Sequence, residues 1–151
     1  MDKLTQYLRE WALHYIKSRD LIHRNIVNIA DNEDGFVVEL KDGKQCVIVE
    51  AELNADEVLS KLSAYKGQKS ALFVYNTQQN LEKAIASWKK LAEFDRHFMM
   101  VFVNPFSSTE HKWSFFPMTH HTLSDKAENA LRVLASSVEI ITEEKLEKNI
   151  R

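Results

Sequence analysis

The sequence predicts an α/β (or α+β) domain built on a mixed β-sheet, and three observations carry that expectation. One amphipathic helix is followed by three short strand-like runs, each separated from the next by a tight-turn signal. Two later runs, ALFVY at 71–75 and FMMVFVN at 98–104, are apolar throughout, as in strands covered by helices on both faces. Helical periodicity lies between these runs, which is the pattern of βαβ units with parallel strands.

The elements follow in order. LTQYLREWALHYIK sets Leu4, Leu8, Trp11, Tyr15 and Ile16 at helical spacing, predicting a helix over 3–18. IHRNIVNIA reads as a first strand, and Asp31-Asn32-Glu33-Asp34-Gly35 as a turn of residues that bond their own backbone or accept positive φ. FVVEL is a second strand, and Lys41-Asp42-Gly43-Lys44 carries the Asp-Gly hairpin signal. CVIVEAEL, residues 46–53, is a third strand closing an antiparallel meander. Asn54 is a helix N-cap with Glu57 at the capping-box position, and Val58, Leu59, Leu62 and Tyr65 form that helix's apolar face. Lys66-Gly67 ends it. A helix starting at Thr77 carries Leu81, Ile85, Trp88 and Leu91 on one face. After a loop over 105–112 come a short strand from Trp113 to Phe116 stopped by Pro117, a helix from about Ser124 to Ala135, a strand over 138–141 and a short final helix.

With 151 residues and only three glycines and two prolines, residues 1–151 are expected to form one domain. The start of the chain carries no apolar signal-like segment and no apolar run approaches membrane-spanning length, so the expectation is no membrane and a cytoplasmic location. The single cysteine, Cys46, allows no internal disulfide and sits in an apolar strand as a small core residue.

Net charge is −2, but it is unevenly spread: residues 1–24 carry +2, residues 25–60 carry −7 and residues 61–151 carry +3. The acids concentrate around the third strand. Asp34 opens the second strand, and Glu50 and Glu52, two apart near the end of the third, should point the same way. The hairpin brings Asp34 beside Glu50 and Glu52. Such a carboxylate cluster is either a solvated acidic turn or the holder of a cation.

The αβββαβ order with Asp34 in Glu33-Asp34-Gly35-Phe36 and the tripeptide Glu50-Ala51-Glu52 resembles the restriction-endonuclease-like, or PD-(D/E)XK, superfamily of metal-dependent nucleases. The resemblance covers roughly residues 3–75. It departs from the pattern where Glu33 replaces the proline and Glu52 replaces the lysine. It implies a restriction-endonuclease-like core that holds Mg²⁺ or Mn²⁺ at Asp34 and Glu50, with Glu52 as a further metal ligand or base, and hydrolyses phosphodiester bonds in DNA or RNA. The missing cationic role would fall to Lys61, Lys66 or Lys69, of which Lys69 enters the candidate catalytic set with Asp34, Glu50 and Glu52. A binding or scaffold protein that keeps this fold without catalysis, with a homodimer as one form it could take, is the reading from another class.

Other residues point less directly. His111, His120 and His121 lack the regular spacing of a zinc site. Ser107-Ser108 lacks a nucleophile elbow, and no phosphate-cradling glycine loop exists. Glu10 is an additional candidate ligand, Lys89-Lys90 and Arg96-His97 a candidate phosphate-contacting patch. Trp113 and Phe115 are expected in the core, whereas Phe106 and Phe116 suit base stacking or an oligomer surface.

Overall fold

The computed structural model describes residues 2–123 and 126–150. Six strands form one mixed sheet in the sequential order β1-β2-β3-β4-β5-β6. They are β1 (Ile26–Asp31), β2 (Gly35–Leu40), β3 (Gly43–Val49), β4 (Lys69–Tyr75), β5 (Phe98–Val103) and β6 (Lys112–Phe115). The helices are α1 (Lys3–Asp20), α2 (Ala55–Leu62), α3 (Gln78–Ala86), α4 (Trp88–Phe94), α5 (Pro117–Leu123), α6 (Ala127–Ala135) and α7 (Glu143–Asn149). The meander β1-β2-β3 is antiparallel, β3, β4 and β5 run parallel, and β6 returns antiparallel along β5.

Strand alternation divides the core in two. Phe36, Val38, Val47, Val49, Phe73, Tyr75, Val101 and Val103 face one way and pack with Leu8 and Ala12 of α1 and Leu146 of α7. Cys46, Ile48, Leu72, Val74, Met100 and Phe102 face the other way, under α2, α3, α4 and α6. Both crossover connections, β3-α2-β4 and β4-α3-α4-β5, lie on that second face. This is why β4 and β5 are apolar at nearly every position: they have no wet side.

Several elements depart from the sequence expectation, each for a local reason. The first strand starts only at Ile26, because the Asp20 side chain accepts hydrogen bonds from the Asn25 and Ile26 N–H groups and holds residues 21–25 in a turn. The third strand stops at Val49, before the acids. The helix expected from Thr77 breaks at Ser87 into α3 and α4. Pro117 ends β6 but also starts α5, since its fixed φ suits a first helical turn. The expected start of the next helix at Ser124 lies outside the described residues; α6 begins at Ala127. The expected strand over 138–141 does not join the sheet. Its backbone is tied instead by Ile141 N–H to the Asn76 carbonyl, and by the Asn76 and Asn104 amides to the Val138 and Glu139 carbonyls.

The parallel strands align their carboxyl ends, so Glu50, Asn76 and Asn104 follow β3, β4 and β5 at one edge of the sheet. Open α/β sheets place ligands outside such ends.

Candidate functional site

Asp34 owes its position to the turn before it. The Asn32 side-chain oxygen accepts from the N–H groups of both Asp34 and Gly35 at 2.9 Å, and Asn32 N–H bonds the Gly35 carbonyl. Val49 N–H then bonds the Asp34 carbonyl at 2.9 Å, which sets Asp34 beside the last residue of β3. Gly35 permits that approach. A Cβ there would lie 2.1 Å from the Val47 carbonyl oxygen, far inside contact distance.

Glu50 extends the register of β3 by one residue, with its N–H on the Phe73 carbonyl. The chain then turns away from the sheet, and Asn80 of α3 fixes that turn. Its side-chain oxygen accepts from Leu53 N–H, and its amide donates to the Ala51 and Tyr75 carbonyls, all at 2.9 Å. Because Glu52 lies beyond the strand, it does not share the direction of Glu50. The Glu50 side chain is 14% exposed and the Glu52 side chain 73%, with Lys83 at 3.9 Å from Glu52.

The cation that meets the acids comes from α2. Asn54 caps this helix by accepting from Glu57 N–H at 3.2 Å, and Val58 and Leu62 bury its inner face. Lys61, next to that face, reaches over the end of β3. Its Nζ lies 2.7 Å from Asp34 Oδ1, 2.8 Å from Glu57 Oε1 and 3.7 Å from Glu50 Oε1. Glu57 precedes Lys61 by one helical turn, the favourable order for such a pair. Burial works against the Lys61 charge, but the Asp34 and Glu57 carboxylates outweigh it and raise its pKa, so the ammonium is firmly charged.

Glu50 behaves oppositely. Desolvation raises its pKa above the ordinary glutamate value, although the Asn54 N–H and Lys61 act to lower it; Glu57 and Asp34 add repulsion. A folded-state pKa above the unfolded one means that the protonated form favours the folded chain. That contribution is complete below the ordinary glutamate range and is lost as pH rises through the raised value. Glu50→Gln should therefore gain stability over the parent chain near pH 7, and that gain should shrink towards pH 3.5. Urea unfolding at the two pH values measures it, and equal differences at both would contradict the burial argument.

A broad groove of about 1100 Å³ opens over these groups. Its lining includes Asp34, Glu50, Glu52, Glu57 and Lys83. Asp2, Glu33, Asp56 and Glu143 add further acids, so its rim is acidic rather than basic. Of the residues singled out in the sequence, Asp34 and Glu50 meet here through Lys61, and Glu52 lines the same groove apart from them. Lys69 does not come near. It pairs with Gln45 at the start of β4, whereas Val49 pairs with Phe73, so the two ends are roughly 13 Å apart at ~3.3 Å per residue. Lys66, beyond the end of α2, lies over the Phe94 ring instead. Glu10 is exposed and accepts from the Gln6 amide.

The histidines do not form a metal cluster. His121 accepts from the Trp88 indole at 3.0 Å, and His120 packs against Trp88 and Phe115. Among the described residues, no three His, Cys, Asp or Glu side chains are grouped to hold a metal ion. Cys46 is buried, and desolvation with the nearby Asp34 carboxylate pushes its thiol up to about 11, which makes it a poor nucleophile. Trp113 and Phe115 are core residues, stacked on each other and on Phe102. Phe106 and Phe116 are exposed at 37% and 44%, Phe106 stacking on Tyr7. Sequence reasoning passed over Asn80 and Asn76, since a buried asparagine has no pattern in the chain; its partners lie up to 63 residues away.

The donor set fits a hard divalent ion in kind. Asp34 and Glu50 offer carboxylate oxygens that reach one common nitrogen, and Mg²⁺ typically takes one or two carboxylates and completes its shell with water. The Lys61 ammonium stands between those oxygens, so an ion would share or displace it. No protein family, characterised protein or solved structure matches the chain. Among the described residues, no helix is long and apolar enough to cross a membrane.

Proposed function

We propose that this protein is a divalent-metal-dependent, nuclease-like phosphodiesterase acting on DNA or RNA, with Asp34 and Glu50 as its acid pair and Lys61 as its cationic residue. The observation that carries this reading is the meeting of these three side chains at the carboxyl end of β3, where Asp34 and Glu50 line an open groove. A bound Mg²⁺ or Mn²⁺ would polarise the phosphodiester and lower the pKa of an attacking water. Asp34 and Glu50 would hold the ion. Lys61, delivered from α2 rather than from β3, would place positive charge beside the phosphate, the role left open by Glu52. Glu52, exposed on the groove wall, is available to accept a proton from water. Keeping Glu50 desolvated at an energetic penalty fits a functional carboxylate better than a structural one.

The test is cleavage of labelled single- and double-stranded DNA and RNA with Mn²⁺ or with EDTA. The expected result is Mn²⁺-dependent cleavage that falls at least a hundredfold in Glu50→Ala and in Lys61→Met. Cleavage that survives in Glu50→Ala would place the activity elsewhere.

A second reading, a non-catalytic binding or scaffold protein on the same fold, rests on a different observation. Lys61 already pairs with the acids as their internal cation, and the groove's remaining carboxylates would repel a polyanion. On that reading no substrate is cut and calorimetry detects no Mn²⁺ binding to the parent chain, whereas Lys61→Met, freed of its internal cation, binds Mn²⁺.

A further inference from the structure

The amino ends of the three parallel strands carry a second constellation, at the opposite edge of the sheet from the acidic groove. Lys44 of β3, Lys69 of β4 and His97, which immediately precedes β5, line a cleft of about 220 Å³ together with Asp42, Gly43, Gly67 and Gln68. That volume is below the ~300–1,000 Å³ of pockets that enclose a whole drug-sized ligand, and suits one compact group. The register sets the cations at one end of the sheet: Gln45 pairs with Lys69, so Lys44 stands one residue away and reaches that end from the opposite face, and Ser70 N–H bonds the His97 carbonyl at 3.3 Å.

Asp42 is the one carboxylate in the lining, against two lysines and a histidine. The Glu39 carboxylate, across the hairpin from Lys44 in register, makes no ion pair with it, and Lys69 likewise pairs with no described carboxylate.

The histidine is not a loose surface side chain. Asp95, only 9% exposed, accepts from Gly67 N–H, from His97 N–H at 2.9 Å and from His97 Nδ1 at 3.1 Å. Burial opposes the Asp95 charge, but these hydrogen bonds outweigh it and hold its pKa below the ordinary aspartate value. A carboxylate on Nδ1 requires the proton there and leaves Nε2 to the ligand: in the imidazolium form Nε2 donates to a phosphate oxygen, and in the neutral form it accepts from a phosphate hydroxyl. The same carboxylate clamps the Gly67 turn, which forms the cleft's wall. One buried group thus positions both a side chain and the backbone beside it.

We propose that this cleft binds a phosphate monoester, with Lys44 and Lys69 supplying charge and the Asp95-held His97 a directed nitrogen. The site is separate from the acidic groove and does not rest on the nuclease reading. Inorganic phosphate is the probe, titrated into the isotope-labelled full chain at constant ionic strength, with sodium chloride and acetate as controls. The expected result is saturable shifts of the Gly43, Gly67 and Gln68 amides and the His97 ring. Affinity should fall tenfold or more in Lys44→Ala/Lys69→Ala and twofold or less in Lys148→Ala, an exposed lysine on α7. Shifts that fail to saturate, that acetate reproduces equally, or that persist unchanged in the double variant overturn the proposal.

Discussion

Asn80→Leu is expected to destabilise the fold by about 3 kcal/mol or more and to loosen the loop that carries Glu52. The Asn80 side chain is nearly inaccessible, at 1% exposure, and meets three backbone groups from two separate segments. Leucine matches its size but satisfies none of them. Each buried backbone group left without a partner costs about 1–3 kcal/mol, and of the three contacts only the one to Ala51 is not fully buried. Urea unfolding gives the stability change, and amide hydrogen exchange at Leu53 reports the loop. A loss under 1 kcal/mol with unchanged exchange at Leu53 would show that Asn80 does not hold the loop.

Gly35→Ala should do comparable damage by a different route. Its Cβ would meet the Val47 carbonyl at 2.1 Å, and the neighbouring atoms at 3.0 and 3.2 Å are also backbone, so no side chain can swing aside. The β2–β3 hairpin must separate locally, and overpacking of this kind costs about 1–3 kcal/mol, or more where backbone must move. Separation would also carry Asp34 away from Val49 and Lys61. The expected signature is loss of stability together with a larger chemical-shift change at Lys61 than at residues of β5. A variant as stable as the parent would mean that the hairpin has slack the geometry denies it.

Much of the fold was legible because its signals are local. The Asn54 cap, the Asp42-Gly43 hairpin and the continuous apolar runs of β4 and β5 each depend on neighbouring residues, and each appears in the structure. The meander's register follows from its turns, so Asp34 beside the end of β3 was also legible. Failures came where a distant partner decides. The segment at 138–141 has a strand's composition, but two buried asparagines take its carbonyls and it joins no strand. Residues 88–94 continue a helical period from α3, yet the chain breaks at Ser87.

The candidate site divides along the same line. The sequence by itself determined the acidic centre of the chain, the helix, strand and turn types around it, and the placement of Asp34 beside the end of β3. Only the tertiary structure decided which lysine serves them. Helical spacing left Lys61, Lys66 and Lys69 equal, because the choice depends on how α2 packs across β3 rather than on any residue pattern. That packing brings Lys61 to Asp34 and sends Lys69 to the far edge, beside Lys44 and His97. It also separates Glu50 from Glu52, which two-residue spacing placed together, because the strand ends at Val49 and alternation holds only while a strand continues.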